Sequence, residues 1–307
     1  MARTATAQKY TAAMSLSPAS AADAAATTGA LAVGPGMALA VASLLALLGY
    51  VWVGLLRPTA APGEAVVRRP LRSVPPMALA WSAQFAALFI DISGYGLATP
   101  GARFGFAPAL SMTTWLVLTV YLVESRFLPL HSVRRVLAWL AAAAVVLAWS
   151  FPGESRPTAA SPWAPLHWVL GLASYGLFGV AVLHAALMNR AETRLRQKLA
   201  TPGGLPLLQL ERLTFQFVAA GVSVLSLAIF LGWWFTPAWR WDHKNLLAVL
   251  GWLVLAGLLV GRRVYGWRGR RATRWLYAGA ALLLLSYAGS RFVVEVILQR
   301  GLAGGGA

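Results

Sequence analysis

The 307-residue chain has no cysteine, only 11% charged residues, and nine acidic side chains against 26 Lys and Arg. Without cysteine there is no disulfide, no thiolate ligand and no CxxC thiol relay. Metal or cofactor chemistry is left to His, Met, Tyr and carboxylates, and the sequence holds only four histidines. The charged fraction is under half of the roughly 25% typical of soluble domains, which argues against a soluble globule. In place of charge stand 59% hydrophobic residues. Apolar runs recur along the whole chain at the length needed to cross about 30 Å of hydrocarbon. The fold class expected is therefore all-α, a polytopic membrane helix bundle, because backbone polar groups in lipid must be paired within helices.

A net charge of +17 raises the question of nucleic acid. The basic residues sit in short loops between apolar runs and form no separate domain, and nucleic-acid motifs are absent. Eight spans are expected, at 37–56, 77–97, 107–125, 136–151, 167–188, 214–235, 245–261 and 275–299. Loops 1–2, 3–4, 5–6 and 7–8 carry 18 of the 26 Lys and Arg residues. The positive-inside rule places these loops in the cytoplasm and both termini outside. Residues 1–36 lack the order of a signal peptide and are expected to be a disordered or non-native extension. Residues 189–213 are expected to form a cytoplasmic linker, in which Pro202–Gly203–Gly204 ends any helix continuing from span five. The linker separates a first half, 37–188, from a second, 214–307, within one membrane domain spanning 37–299.

The histidines narrow the choice of site. His167 opens span five and His243 opens span seven, both on the outer side of this topology. His184 lies toward the inner end of span five, and His131 lies in the loop between spans three and four. His167 and His184 are about 25 Å apart along one helix at 1.5 Å per residue, so they cannot share one metal. His167 and His243 both begin inward-running helices on one side. A helix N-terminus disfavours imidazolium and so favours the neutral imidazole that ligates metal. Pro165 and Asp242, just before them, are residues typical of a helix start. The plainer reading, two polar interface residues with nothing bound, stays open at this point.

The stretch "GWWFTPAWRWDHKN" (232–245) adds Trp233, Trp234, Trp239 and Trp241 beside His243. Aromatic belts are expected at membrane interfaces, but four indoles within nine residues exceed an ordinary belt. A flat apolar ligand suits such a surface. Haem suits it best, with an iron for axial histidines and propionates for Arg240, Lys244 or Arg156. Elsewhere, Asp91, His184, Arg291 and Glu295 are polar groups within or beside spans. Intramembrane charges are functional candidates by default, so a haem-free transporter or channel lined by these four is a rival reading.

The segments "HWVLGLASYGLFGVAVLHAALM" (167–188), "LERLTFQFVAAGVSVLSLAIFLGWWF" (210–235), "WRWDHKNLLAVLGWLVLAGLL" (239–259) and "GWRGRRATRWLYAGAALLLLSYAGSRFV" (266–293) occur in this order. Together they resemble the cytochrome c assembly family of haem-handling membrane proteins, nearest its YpjD-type inner-membrane branch. The resemblance covers about 77–299 and is strongest over 167–293. It implies a multi-pass protein of the bacterial inner membrane taking part in cytochrome c assembly. It implies haem b held by His167, at the family's outer-face ligand position. Trp239, Trp241, Asp242 and Lys244 match the family's "WDPKE" signature, with His243 in place of its proline as this branch's second ligand. That signature is shortened here, and complete haem-lyase activity is not implied. Gln84 stands where related proteins carry a histidine in span two, so no second haem is expected inside the membrane. The resemblance implies a carrier or chaperone that works with other biogenesis membrane proteins or apocytochrome. A regulatory or scaffold role of the HemX-like kind is a further alternative.

Overall fold

Long apolar runs without interior proline give long helices, and the computed structural model contains eight among its described residues. It describes residues 36–56, 74–94, 102–127, 133–156, 163–198, 206–235 and 241–293, all within one compact unit running from Pro35. The helices are α1 (Met37–Leu55), α2 (Val74–Ser93), α3 (Phe106–Glu124), α4 (Arg134–Ser150), α5 (Ala164–Arg196), α6 (Leu207–Phe235), α7 (His243–Tyr265) and α8 (Gly269–Leu284). A π-helical turn, Leu285–Gly289, continues α8 and leads into Ser290–Phe292. The molecule is a polytopic membrane helix bundle. Six of its helices, α1, α2, α3, α5, α6 and α7, are long and apolar enough to cross a membrane. The other two expected spans are present as α4, with 17 residues, and α8, whose 16 α-helical residues the π turn prolongs.

One element lay outside a purely helical expectation. The three-residue strands β1 (Ala102–Phe104) and β2 (Glu154–Arg156) pair antiparallel, with Arg103 opposite Ser155. They tie the segment before α3 to the segment after α4.

Two apolar cores organise the bundle. The first is built from α1–α4 around Tyr50, Met77, Leu118, Leu137 and Ala141, and takes Val180 from α5. The second is built from α5–α8 around Phe178, Ala185, Val218, Leu255, Leu258 and Leu276. Helix α5 therefore contributes to both. In lipid, helix association depends on close packing by small residues and on interhelical hydrogen bonds. Both devices occur. A Cβ on Gly176 or Gly179 of α5 would come within 2.7 Å of Leu116 or Val117 on α3, so these glycines set the close approach of the two helices. In the first core, Tyr50 Oη donates to Gln84 Oε1 (2.6 Å), and Gln84 Nε2 donates to the carbonyl and Oγ of Ser111 (3.1 and 3.0 Å). Both donors of the Gln84 amide are thus used.

Candidate haem site

His167 lies in the first turn of α5, which begins at Ala164 with Pro165 in its opening positions. Proline is tolerated there because the first N–H groups of a helix have no intrahelical acceptor. The ring is half-buried against α6, and its Nδ1 is 2.8 Å from the carbonyl oxygen of Ala228. A carbonyl only accepts, so Nδ1 carries the proton and the neutral ring keeps its lone pair on Nε2. Metal-ligating histidines are oriented by this same kind of bond from the other nitrogen.

Gly232 makes the contact between ring and helix possible. A Cβ at that position would stand 2.8 Å from His167 Cε1 and 3.1 Å from Nδ1, distances that a packed interior does not tolerate. The glycine belongs to the same last turn of α6 as Trp233 and Trp234. Those two indoles are 58% and 69% exposed, and each packs beside Phe230, with ring centroids 6.3 and 6.2 Å away. They form an exposed aromatic surface one residue beyond the glycine that cradles His167.

The start of α7 forms the other part of the site. Asp242 is its N-cap, and its side chain accepts from the Asn245 N–H at 2.9 Å. His243 and Lys244 follow in the first turn, both exposed, as is Trp241 just before the cap. The Lys244 ammonium lies close enough to act electrostatically on the His167 ring and sits 5.4 Å from the Tyr287 ring centroid. Ser286 Oγ donates to the Lys244 carbonyl at 2.8 Å, and Tyr175 Oη donates to the Leu283 carbonyl at 2.9 Å. Helix α5 thus anchors the last turn of α8, and the π turn just after it anchors the beginning of α7. Such turns disturb the i→i−4 ladder and recur at functional sites.

The structure therefore brings His167, Gly232, Lys244 and the π turn into one neighbourhood, with Asp242 and His243 at its α7 edge. Trp239 and Arg240 lie outside the described residues, as do His131 and Glu295. Gly232, the Ala228 carbonyl, Ser286 and Tyr287 were not anticipated. The glycine inside "GWW" was the only local signal for them, since a main-chain acceptor has no sequence signature.

His184 is elsewhere. It is fully buried in α5, its Nδ1 is 2.9 Å from the Val180 carbonyl, and its ring stacks on Phe217 at 5.4 Å. Its Nε2 is 3.2 Å from Glu124 Oε2 on α3. The ring and the carboxylate thus stand as a polar pair between α5 and α3. Asp91, also buried, lines a separate cavity of about 310 Å³ among α1–α4 together with Gln84, Ser43 and Ser111. No histidine is among its described lining residues. Among the described residues no group of three or more His, Cys, Asp or Glu is placed to hold a metal ion.

The family model "Cytochrome C assembly protein" matches residues 104–298. The inner membrane protein YpjD of Escherichia coli is 34% identical over 143 residues, covering 45% of this chain and 54% of the relative. The cytochrome c biogenesis protein CcsA of Trichormus variabilis is 30% identical over 115 residues, covering 36% of this chain and 33% of the relative. The chain thus spans about half the length of the YpjD relative and a third of the CcsA relative. No solved structure matches.

Proposed function

Because the chain belongs to the cytochrome c assembly protein family, we propose that it is an inner-membrane haem carrier or chaperone of cytochrome c biogenesis. His167 and His243 would hold haem b at the outer face, each offering an imidazole nitrogen to its iron. The exposed indoles of Trp233, Trp234 and Trp241, together with Trp239, would lie along the macrocycle, and Arg240 and Lys244 would pair with its propionates. Asp242 positions His243 through its cap. The haem iron supplies a centre that two imidazoles saturate, which suits holding and passing on the group. The chain has no cysteine with which to reduce an apocytochrome's thiols. Other biogenesis membrane proteins or an apocytochrome are the partners in this reading.

The observation that carries the proposal is the orientation of His167. A carbonyl fixes its Nδ1 proton, a glycine admits the ring, and the lone pair is on the other nitrogen. These residues suit the group, since a neutral, second-shell-anchored imidazole is what haem iron takes.

The test is a pyridine haemochrome assay on detergent-purified protein expressed with ample haem. Wild type should carry haem b, His167→Ala should fall below about a tenth of it, and His243→Ala should show a shifted or weakened Soret band. His131→Ala should match wild type. A haem-free wild type, or equal haem in all three variants, overturns the reading. The rival transport reading predicts no haem and a proton or ion flux in vesicles that depends on His184 and Asp91.

A further inference from the structure

We propose that the turn between α7 and α8 is a binding site for the phosphate-bearing headgroup of an anionic phospholipid. Six arginines fall between Arg262 and Arg274. The acidic group recorded beside them is Glu211 of α6, whose Oε1 is 3.5 Å from Arg268 Nε. One carboxylate leaves a large positive excess at this turn.

The start of α8 is strongly two-faced. Ala272, Thr273 and Leu276 are buried in the bundle, whereas Arg270, Arg271, Arg274 and Trp275 are exposed. The arginines therefore share the outward side of the helix. Helix α7 ends with Gly266 in the left-handed region at φ 63°, its N–H on the Arg262 carbonyl at 3.1 Å and the Trp267 N–H on the Gly261 carbonyl at 3.3 Å. This closure is an αL cap, with the N–H of the left-handed residue on the carbonyl four residues back, a conformation glycine enters at low cost. The turn is thus a fixed bend, unlike a loose basic tail.

Trp267 is the hub of that bend. Its ring covers Gly261, where a Cβ would stand 2.5 Å from it, and it stacks on Trp275 at 5.9 Å and 17°. Tyr265 stacks on it at 6.1 Å, and the Arg271 guanidinium lies 4.4 Å from its centroid. The indole restrains the arginine, which lowers the entropy lost when a ligand is gripped. Guanidinium groups match the geometry of phosphate oxygens, and the N-terminus of α8 adds backbone donors and a favourable dipole.

Apolar surface at the same level points to lipid as the source of the phosphate. Val264 and Tyr265 are 66% and 73% exposed, directly beside the arginines. A soluble anion uses the guanidiniums alone. A phospholipid uses both, with its headgroup on the arginines and its glycerol and upper chain on Val264, Tyr265 and Trp275. Basic clusters bordering membrane-crossing helices are attracted to anionic lipid by about 1 kcal/mol per residue.

The experiment reconstitutes the full chain in bilayers of phosphatidylcholine with phosphatidylglycerol. The protein is then re-extracted, and the lipid retained per protein is quantified by mass spectrometry. Wild type should retain phosphatidylglycerol preferentially. R268Q/R270Q/R271Q/R274Q should lose that preference at least about tenfold, and Trp267→Leu should lose part of it. R190Q/R194Q/R196Q/K198Q, equal in charge change but placed on the α5–α6 side, should keep it. Equal loss in the two quadruple variants, or none in the first, overturns the proposal. Displacement of the retained lipid by inorganic phosphate overturns the lipid assignment in favour of a free-anion site. Should the first quadruple variant fail to fold, Arg271→Gln and Arg274→Gln singly carry the test, each expected to lower retention.

Discussion

His167 opens α5 and His184 lies seventeen residues further along it, and both direct Nδ1 at a backbone carbonyl. The acceptors differ. His184 turns back on its own helix, to Val180, and its Nε2 meets the Glu124 carboxylate inside the bundle. His167 reaches across to Ala228 on α6, over a glycine, with the Lys244 ammonium acting on its ring. A carboxylate neighbour makes His184 one half of a polar pair between helices. A carbonyl holding Nδ1–H fixes the tautomer in which a neutral His167 has its lone pair on Nε2. One residue type on one helix thus acquires two roles, and only the neighbouring helices distinguish them.

The largest effect that separates the two histidines is on stability. His184→Ala removes one member of a buried pair and leaves Glu124, whose side chain is 14% exposed, without it. Breaking a fully buried pair costs about 3–5 kcal/mol, and the partial exposure of Glu124 lowers that figure. The thermal midpoint in detergent should fall clearly, while haem per folded protein stays at the wild-type value. Loss of haem by the folded fraction would mean that the two positions on α5 are not independent.

A smaller change sharpens the comparison at His167. Gly232→Ala leaves every proposed ligand in place but forces the His167 ring off the α6 backbone, because the new Cβ would stand 2.8 Å from Cε1. Disturbing the bond that orients a metal ligand typically costs about 10–100-fold in affinity. Transfer of haem to apomyoglobin should therefore run at least about tenfold faster than from wild type, with little change in helix content. A wild-type transfer rate would show that the carbonyl contact does not orient the ligand.

Much of the architecture was readable in the chain because lipid imposes one solution on an apolar run. The fourth span, expected at 136–151, is α4 at Arg134–Ser150. Helix ends were less legible. Span five was expected to stop at 188, yet α5 continues to Arg196, stabilised at its polar end by the i,i+4 pair Glu192–Arg196 at 2.6 Å. Span six was expected from 214, and α6 begins at Leu207. Hydropathy locates the part of a helix that needs lipid, and says nothing about how far it runs past the boundary. The π turn after Leu284 and the β1–β2 ribbon were invisible because neither has a hydropathy period. At the site, Pro165, Asp242 and both histidines were visible as helix-start chemistry. The Ala228 carbonyl, the Gly232 contact and the Ser286–Lys244 bond were not, since each joins helices far apart in sequence through main-chain atoms or a missing side chain.

The smallest effect tests whether the α7 edge belongs to the same site as His167. Asp242→Ala removes the acceptor of the Asn245 N–H and the carboxylate at a helix N-terminus, where negative charge is favourable. The cap is worth about 1 kcal/mol, and the Ser286–Lys244 bond remains to hold the turn. If His243 ligates iron, fraying its turn loosens one of two ligands, and haem transfer should quicken about fivefold, the equivalent of that 1 kcal/mol. Asp242→Asn retains an oxygen acceptor and should restore most of the wild-type rate. A variant that loses stability but transfers haem at the wild-type rate would separate His243 from the iron. His167 would then be the sole protein ligand on the α5–α6 side.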